Sequence, residues 1–154
     1  MKKFVVLYFC LSLIVGRIYS QAIPVFNEGE RVVFLGNSIT DGGCYHSFIW
    51  LYYMTRFPNK DLHILNAGIG GNTALDMYKR LDGDVFSKNP TTLVVTFGMN
   101  DSGYFEYNGE DGAQFGEKKY QETHENFKLM EERLKRLPGT KIVMMGGSPY
   151  DETA

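Results

Sequence analysis

Four apolar runs of the chain each end on glycine, and polar or amphipathic segments separate them. The runs are RVVFLG (31–36), LHILNAG (62–68), TTLVVTFG (91–98) and TKIVMMG (140–146). Strands that are apolar along their whole length are buried on both faces, as in parallel sheets covered by helices. The pattern therefore predicts an α/β fold, in which ligands bind at the carboxyl ends of the strands.

The segments between these runs predict three helices. They are 44–57, expected to be largely buried, a short helix over 73–81, and a long helix over 117–137. In the long helix Phe127, Met130, Leu134 and Leu137 share one face, and Glu131–Lys135 and Glu132–Arg136 are spaced to form ion pairs on the other. We expect His124 to lie on the apolar face and point to the core. The loop 101–116 is long enough to be a binding loop.

The first twenty residues predict a cleaved signal peptide rather than part of the fold. Lys2 and Lys3 precede a twelve-residue apolar run, FVVLYFCLSLIV, and Ser20 is a small residue suited to cleavage before Gln21. The run is shorter than the ~20 residues that span a bilayer, so we expect no stable membrane anchor. The mature protein is then periplasmic or extracellular, with a leader over 21–30 and one domain over 31–154.

Composition argues against several classes of partner. Cleavage leaves 13 basic and 18 acidic residues, a net charge of −5, without a basic patch, so nucleic acid is not an expected partner. Only Cys44 remains after cleavage, so no intrachain disulfide is expected, and three scattered histidines predict no metal site. No cofactor is expected, and the sequence does not predict an oligomeric state.

Three successive strands end in residues that suit acyl transfer. Ser38 follows the first run, the glycine-rich turn NAGIGGNT (66–73) the second, and GMND (98–101), with Asn100, the third. A serine hydroxyl can attack a carbonyl, and backbone N–H groups or a carboxamide can stabilise the oxyanion that develops. Each piece has an alternative: Ser38 with Asp41 fits a helix cap, the turn fits phosphate binding, and asparagine often braces its own turn.

Taken in order, these motifs resemble the SGNH hydrolase family, also called GDSL esterases. The family's G-D-S-[LI] block is similar to GNSI (36–39), its second block to residues 66–73, and its G-x-N-D block to GMND. The resemblance implies a flavodoxin-like three-layer sandwich. It also implies Ser38 as nucleophile and an oxyanion hole formed by the Ser38 and Gly71 backbone N–H groups and the Asn100 side chain. Asn37 stands where the common motif has aspartate, a residue that we expect mainly to shape the turn.

The family's catalytic Asp and His, three residues apart as D-x-x-H, have no counterpart in these 154 residues. We therefore expect the chain to be the N-terminal part of a longer hydrolase, inactive on its own. The leading hypothesis is an exported serine esterase acting on a small-molecule or carbohydrate ester, with Tyr104, Phe105 and Tyr107 as rings that would stack on a sugar. The alternative is a non-catalytic carbohydrate- or partner-binding protein that keeps the same cleft. A nucleotide-binding protein is disfavoured, because GIGGNT has Thr73 at the third glycine of G-x-G-x-x-G.

Overall fold

The computed structural model describes residues 26–103 and 109–147. The predicted signal peptide, the leader up to residue 25, and Tyr104, Phe105 and Tyr107 of the predicted binding loop lie outside this part. The described elements, in chain order, are β1 (Glu30–Gly36), α1 (Ser38–Asp41), α2 (Cys44–Arg56), β2 (Leu62–Gly68), α3 (Ala74–Asp84), a 3₁₀ turn (Phe86–Lys88), β3 (Thr92–Thr96), α4 (Gly112–Leu134) and β4 (Lys141–Met145).

All four predicted strands are present and form one parallel sheet in the order β2-β1-β3-β4. β1 is therefore flanked by β2 on one side and by β3 on the other. The register pairs Gly36, the last residue of β1, with Gly68, the last residue of β2. As a result, the segments that follow β1, β2 and β3 leave the sheet at the same edge.

Helices cover both faces of the sheet, which confirms the three-layer α/β prediction. Val33, Leu35, Leu93 and Val95 pack against Met77 and Leu81 of α3 and Met130 and Leu134 of α4. On the other face, Val32, Phe34 and Val94 pack with Tyr53 of α2. Alternate residues of β1 and β3 thus enter opposite cores, which explains why these two strands are apolar throughout. The expectation of burial on both faces is wrong for β4, at the edge of the sheet, where Ile142, Met144 and Met145 are exposed.

The prediction that residues 44–57 form a largely buried helix is wrong in its burial. Only His46 and Tyr53 of α2 are buried, while Phe48, Trp50, Leu51 and Tyr52 are 47 to 70% exposed. A helix resting on one face of a sheet buries a single stripe, here completed by Tyr45 and Ile49. Apolar composition all round the helix does not change that geometry.

Two expectations for the long helix are corrected. α4 begins at Gly112 rather than at residue 117 and ends at Leu134 rather than at residue 137. Gly112 and Gly116 have weak helix propensity, which tertiary context overrides here. His124 is exposed and stacks on Tyr120, with the two rings 4° from parallel. The stripe that ends in Met130 and Leu134 leaves His124 on the solvent side of the helix. The predicted Glu131–Lys135 ion pair is present at 3.0 Å.

Candidate active site

Ser38 stands at the edge of the sheet where β1 ends. It is the first residue of α1 and is exposed, whereas Asn37 before it is buried. The helix cap is Asn37: its Oδ1 accepts a hydrogen bond of 3.1 Å from the Ile39 backbone N–H. The alternative in which Ser38 caps the helix is therefore wrong, and the serine hydroxyl is not used in capping.

Glycine at the ends of β1 and β2 lets α1 lie directly on the sheet. A Cβ on Gly36 would stand 2.7 Å from the Thr40 Cβ, and one on Gly68 would stand 2.6 Å from the Thr40 carbonyl carbon. Neither separation is possible for real atoms, and at Gly68 the obstacle is backbone. The two glycines therefore set how closely the segment that carries Ser38 approaches the strands.

Helix α2 supports α1 through hydrogen bonds to Thr40. The Tyr45 hydroxyl lies 3.0 Å from Thr40 Oγ1, and His46 Nε2 lies 3.0 Å from the Thr40 carbonyl oxygen. Thr40 itself has no exposed surface. Burial raises the pKa of the Tyr45 hydroxyl, so it remains a neutral hydrogen-bonding group at ordinary pH. Sequence reasoning missed this support, since nothing in the motif points to α2.

The turn after β2 lies beside Ser38. A Cβ on Gly70 would come within 3.9 Å of the Ser38 Cβ, and the Gly70 N–H donates to Asp41 Oδ2 at 3.2 Å. Gly71 has φ of +79°, in the left-handed region that glycine adopts without strain, and a Cβ there would meet nothing within 4 Å. The predicted oxyanion-hole glycine is thus in an open, exposed stretch of backbone next to α1.

The turn after β3 is joined to the turn after β2. The Asn100 carboxamide donates to the Asn72 carbonyl oxygen at 2.9 Å, so it reaches across to the neighbouring turn. Asp101 is buried, and its two carboxylate oxygens accept from the Ala74 N–H at 2.8 Å and the Gly98 N–H at 3.0 Å. Asp101 therefore anchors the Asn100 turn to the start of α3, a role that sequence reasoning did not assign.

The three histidines lie in three different environments. His46 is buried against Thr40, His63 is exposed and 3.2 Å from Asp61, and His124 is exposed beside Tyr120. Within the described residues no hydrogen bond joins any of them to the Ser38 hydroxyl. Over the same residues no group of three or more His, Cys, Asp or Glu side chains is arranged to hold a metal ion.

Ser38, the Gly70-Gly71 turn and Asn100 thus follow three neighbouring parallel strands at one edge of the sheet. The arrangement brings to this edge an exposed hydroxyl, an exposed glycine turn and a carboxamide. A hydroxyl and N–H donors of this kind are the components of an acyl-transfer site.

Comparison with known proteins identifies the family. The model of the GDSL-like Lipase/Acylhydrolase family matches residues 34–154, and the chain belongs to this family. The match covers most of the chain and includes the segments that follow β1, β2 and β3. The resemblance inferred from the sequence is confirmed.

Two similar proteins show which members of the family the chain resembles. A solved structure of a gut microbial diltiazem-metabolizing enzyme is 70% identical, with a TM-score of 0.82, over 87% of this chain and 30% of that one. The acetylxylan esterase of Geobacillus stearothermophilus is 28% identical over 89 residues, 48% of this chain and 41% of that protein. A solved structure of an acetylxylan esterase from the same organism is 24% identical and shares the fold, with a TM-score of 0.63 over 77% of this chain and 60% of that one.

A third relative is an uncharacterized lipoprotein of Bacillus subtilis (strain 168), 33% identical over 66% of this chain and 42% of its own length. The chain thus spans less than half the length of the curated relatives that it matches. Among the helices of residues 26–103 and 109–147, none is both long and apolar enough to cross a membrane.

Proposed function

We propose that the protein is an exported serine esterase in which Ser38 is the nucleophile. The observation that carries the proposal is the position of Ser38: exposed, free of any capping role, and flanked by the turns after β2 and β3. Membership of the acylhydrolase family supports the reaction class. The catalytic mutants solved for the Geobacillus esterase replace a serine, an aspartate and a histidine, which supports a serine-based reaction in this chain as well.

In the proposed reaction Ser38 Oγ bonds to the ester carbonyl carbon and its proton passes to a general base. The carbonyl oxygen becomes an oxyanion that the Ser38 and Gly71 backbone N–H groups and the Asn100 carboxamide stabilise. Collapse of this intermediate breaks the bond to the alcohol, which leaves with the proton held by the base. Water then releases the acid from Ser38 by the same steps.

We propose that the base is a histidine oriented by an aspartate in a D-x-x-H block beyond Ala154. In the Geobacillus esterase the catalytic mutants at aspartate and histidine are three positions apart. The present chain corresponds to 60% of that structure. Because a serine without a base is a weak nucleophile, the full-length protein is the form to assay.

The proposed substrate is an acetyl ester of a carbohydrate. The acetylxylan esterase relative supports this choice. Tyr104, Phe105 and Tyr107, which we predict to stack on a sugar ring, lie outside the described residues. Diltiazem, itself an acetate ester, is a second substrate to test because of the 70% identical relative.

The proposal is tested with the full-length protein and p-nitrophenyl acetate, acetylated xylo-oligosaccharides and diltiazem. We expect Ser38→Ala to reduce turnover to the residual ~10³–10⁴-fold over water that binding and the oxyanion hole supply without the nucleophile. Ser87→Ala is the matched control, since Ser87, in the 3₁₀ turn, donates to the Gly83 carbonyl oxygen near the end of α3. Undiminished turnover in Ser38→Ala would refute the assignment.

A fluorophosphonate probe separates the esterase from a non-catalytic carbohydrate-binding protein with the same cleft. Labelling at Ser38 of the native full-length protein is expected for the esterase, and an unlabelled Ser38 for the binding protein. Export is a separate part of the proposal, supported by the signal-like residues 1–20 and by the lipoprotein relative. N-terminal sequencing of the exported protein is expected to begin at Gln21.

A further inference from the structure

Arg80, on the face of α3 next to the sheet edge, makes hydrogen bonds in three directions. Its Nε donates to Asn72 Oδ1 at 2.7 Å, its Nη1 to Asp84 Oδ2 at 2.7 Å, and its Nη2 to the Gly36 carbonyl oxygen at 3.1 Å. The side chain is only 15% exposed. Each nitrogen of the guanidinium group therefore has a fixed partner, and the group joins three segments of the chain.

Two of these partners belong to the segments that carry the proposed catalytic groups. Gly36 is the end of β1, two residues before Ser38. Asn72 follows Gly71 directly, and its carbonyl oxygen receives the hydrogen bond from the Asn100 carboxamide. Arg80 thus links the strand end before the nucleophile to the turn that contains one proposed oxyanion donor and orients another.

We propose that Arg80 is a positioning residue for the oxyanion hole, acting through Asn72 and the end of β1 without touching substrate. The inference rests on the proposed esterase function. A planar guanidinium holds several acceptors at fixed angles, which a flexible amine does not. Asp84 holds the guanidinium in place on α3. Through this guanidinium, the turn after β2 and the end of β1 are both fixed in position relative to α3.

The geometry of oxyanion donors matters chiefly in the transition state, where the negative charge is greatest. Loss of the link should therefore lower kcat and leave KM nearly unchanged. Misplacement of catalytic groups by ~1 Å can cost ~10²-fold in rate. We take this as the upper limit for Arg80, because the hydrogen bond between Asn100 and Asn72 does not itself involve Arg80. For Arg80→Met we expect kcat for p-nitrophenyl acetate to fall about 10- to 100-fold, with KM within about twofold.

The variants are measured in the full-length protein, with the folded fraction checked by circular dichroism. Arg80→Lys keeps the positive charge but loses the planar guanidinium that donates to several acceptors at once, so its kcat should be nearly as low as that of Arg80→Met. Asn72→Ala removes only the bond from Nε and should lower kcat in the same way, which keeps the test available if Arg80→Met does not fold. Arg133→Met is the matched control: Arg133, on α4, pairs with Asp82 away from the strand ends, and its loss should leave kcat unchanged.

A double-mutant cycle distinguishes positioning from a purely structural role. If Arg80 acts partly through Asn100, Arg80→Met should cost at least threefold less in kcat when Asn100 is already alanine. Full multiplication of the two effects, or unchanged kcat in both Arg80→Met and Asn72→Ala, would overturn the inference. Ser38→Ala distinguishes failure of the positioning role from failure of the esterase proposal. If Ser38→Ala abolishes turnover while the Arg80 variants leave kcat unchanged, only the positioning role is refuted. If Ser38→Ala retains turnover, the esterase proposal itself is refuted.

Discussion

The buried carboxylate of Asp101 offers the sharpest test of how the turn after β3 is held. Asp101→Ala removes the acceptors of the Ala74 and Gly98 N–H groups, which lie 2.8 and 3.0 Å from its two oxygens. A hydrogen bond to a charged group contributes ~1.5–3 kcal/mol, so the pair amounts to about 3–6 kcal/mol. Water entering the space left by the side chain recovers part of this, and we expect the free energy of unfolding to fall by about 3 kcal/mol.

The assay is urea unfolding of the full-length protein, followed by circular dichroism. Asp82→Ala is the matched control, because Asp82 pairs with Arg133 through a carboxylate whose side chain is 73% exposed. Exposed ion pairs contribute less than ~1 kcal/mol, so this variant should be nearly as stable as the wild type. A loss below about 1 kcal/mol for Asp101→Ala would refute the argument that its two bonds hold the turn.

Two further predictions concern stability. Gly68→Ala places a Cβ against the backbone of α1, so it should destabilise the protein by about 3 kcal/mol. Gly83→Ala, at a helical site where the new Cβ meets nothing within 4 Å, should stabilise the protein by about 0.5–1 kcal/mol. Equal effects of the two substitutions in urea unfolding would contradict this prediction. Hydrogen bonds from Thr73 lower the pKa of Asp76 in the folded state, so its contribution to stability is present above about pH 4 and is lost as the pH falls through the folded pKa. The stability difference between wild type and Asp76→Asn should therefore be larger at pH 6 than at pH 3, and a difference that does not change with pH would contradict the role of the ionised carboxylate.

Much of the fold was predictable because it depends on local pattern. β2 spans the predicted residues 62–68, and the other strands differ from prediction by one or two residues at their ends. The glycines at the ends of β1 and β2 were also predictable from the local sequence, since each is the last residue of an apolar run. Where prediction failed, in the exposure of α2 and of His124, the outcome depended on which helical stripe meets the sheet, and that is decided by packing.

Local pattern also pointed to the candidate site but not to its supports. Ser38, Gly71 and Asn100 were found because each lies just after a strand in a recognisable short motif. Asp101 was read only as part of that motif, and Arg80 only as part of a helix. Their partners lie 27 and 44 residues away in the chain, and no spacing rule connects residues so distant.

By itself the sequence determined the parallel α/β fold, the family and the identity of the candidate catalytic groups. It did so because apolar periodicity and glycine-ended strands are properties of short segments. Only the tertiary structure decided that Asn37 caps α1 in place of Ser38, that Asn100 binds the turn after β2, and that Arg80 joins that turn to β1. The cap is a local contact between residues two apart, but the other two contacts depend on the strand order β2-β1-β3, which brings remote segments of the chain to one edge of the sheet.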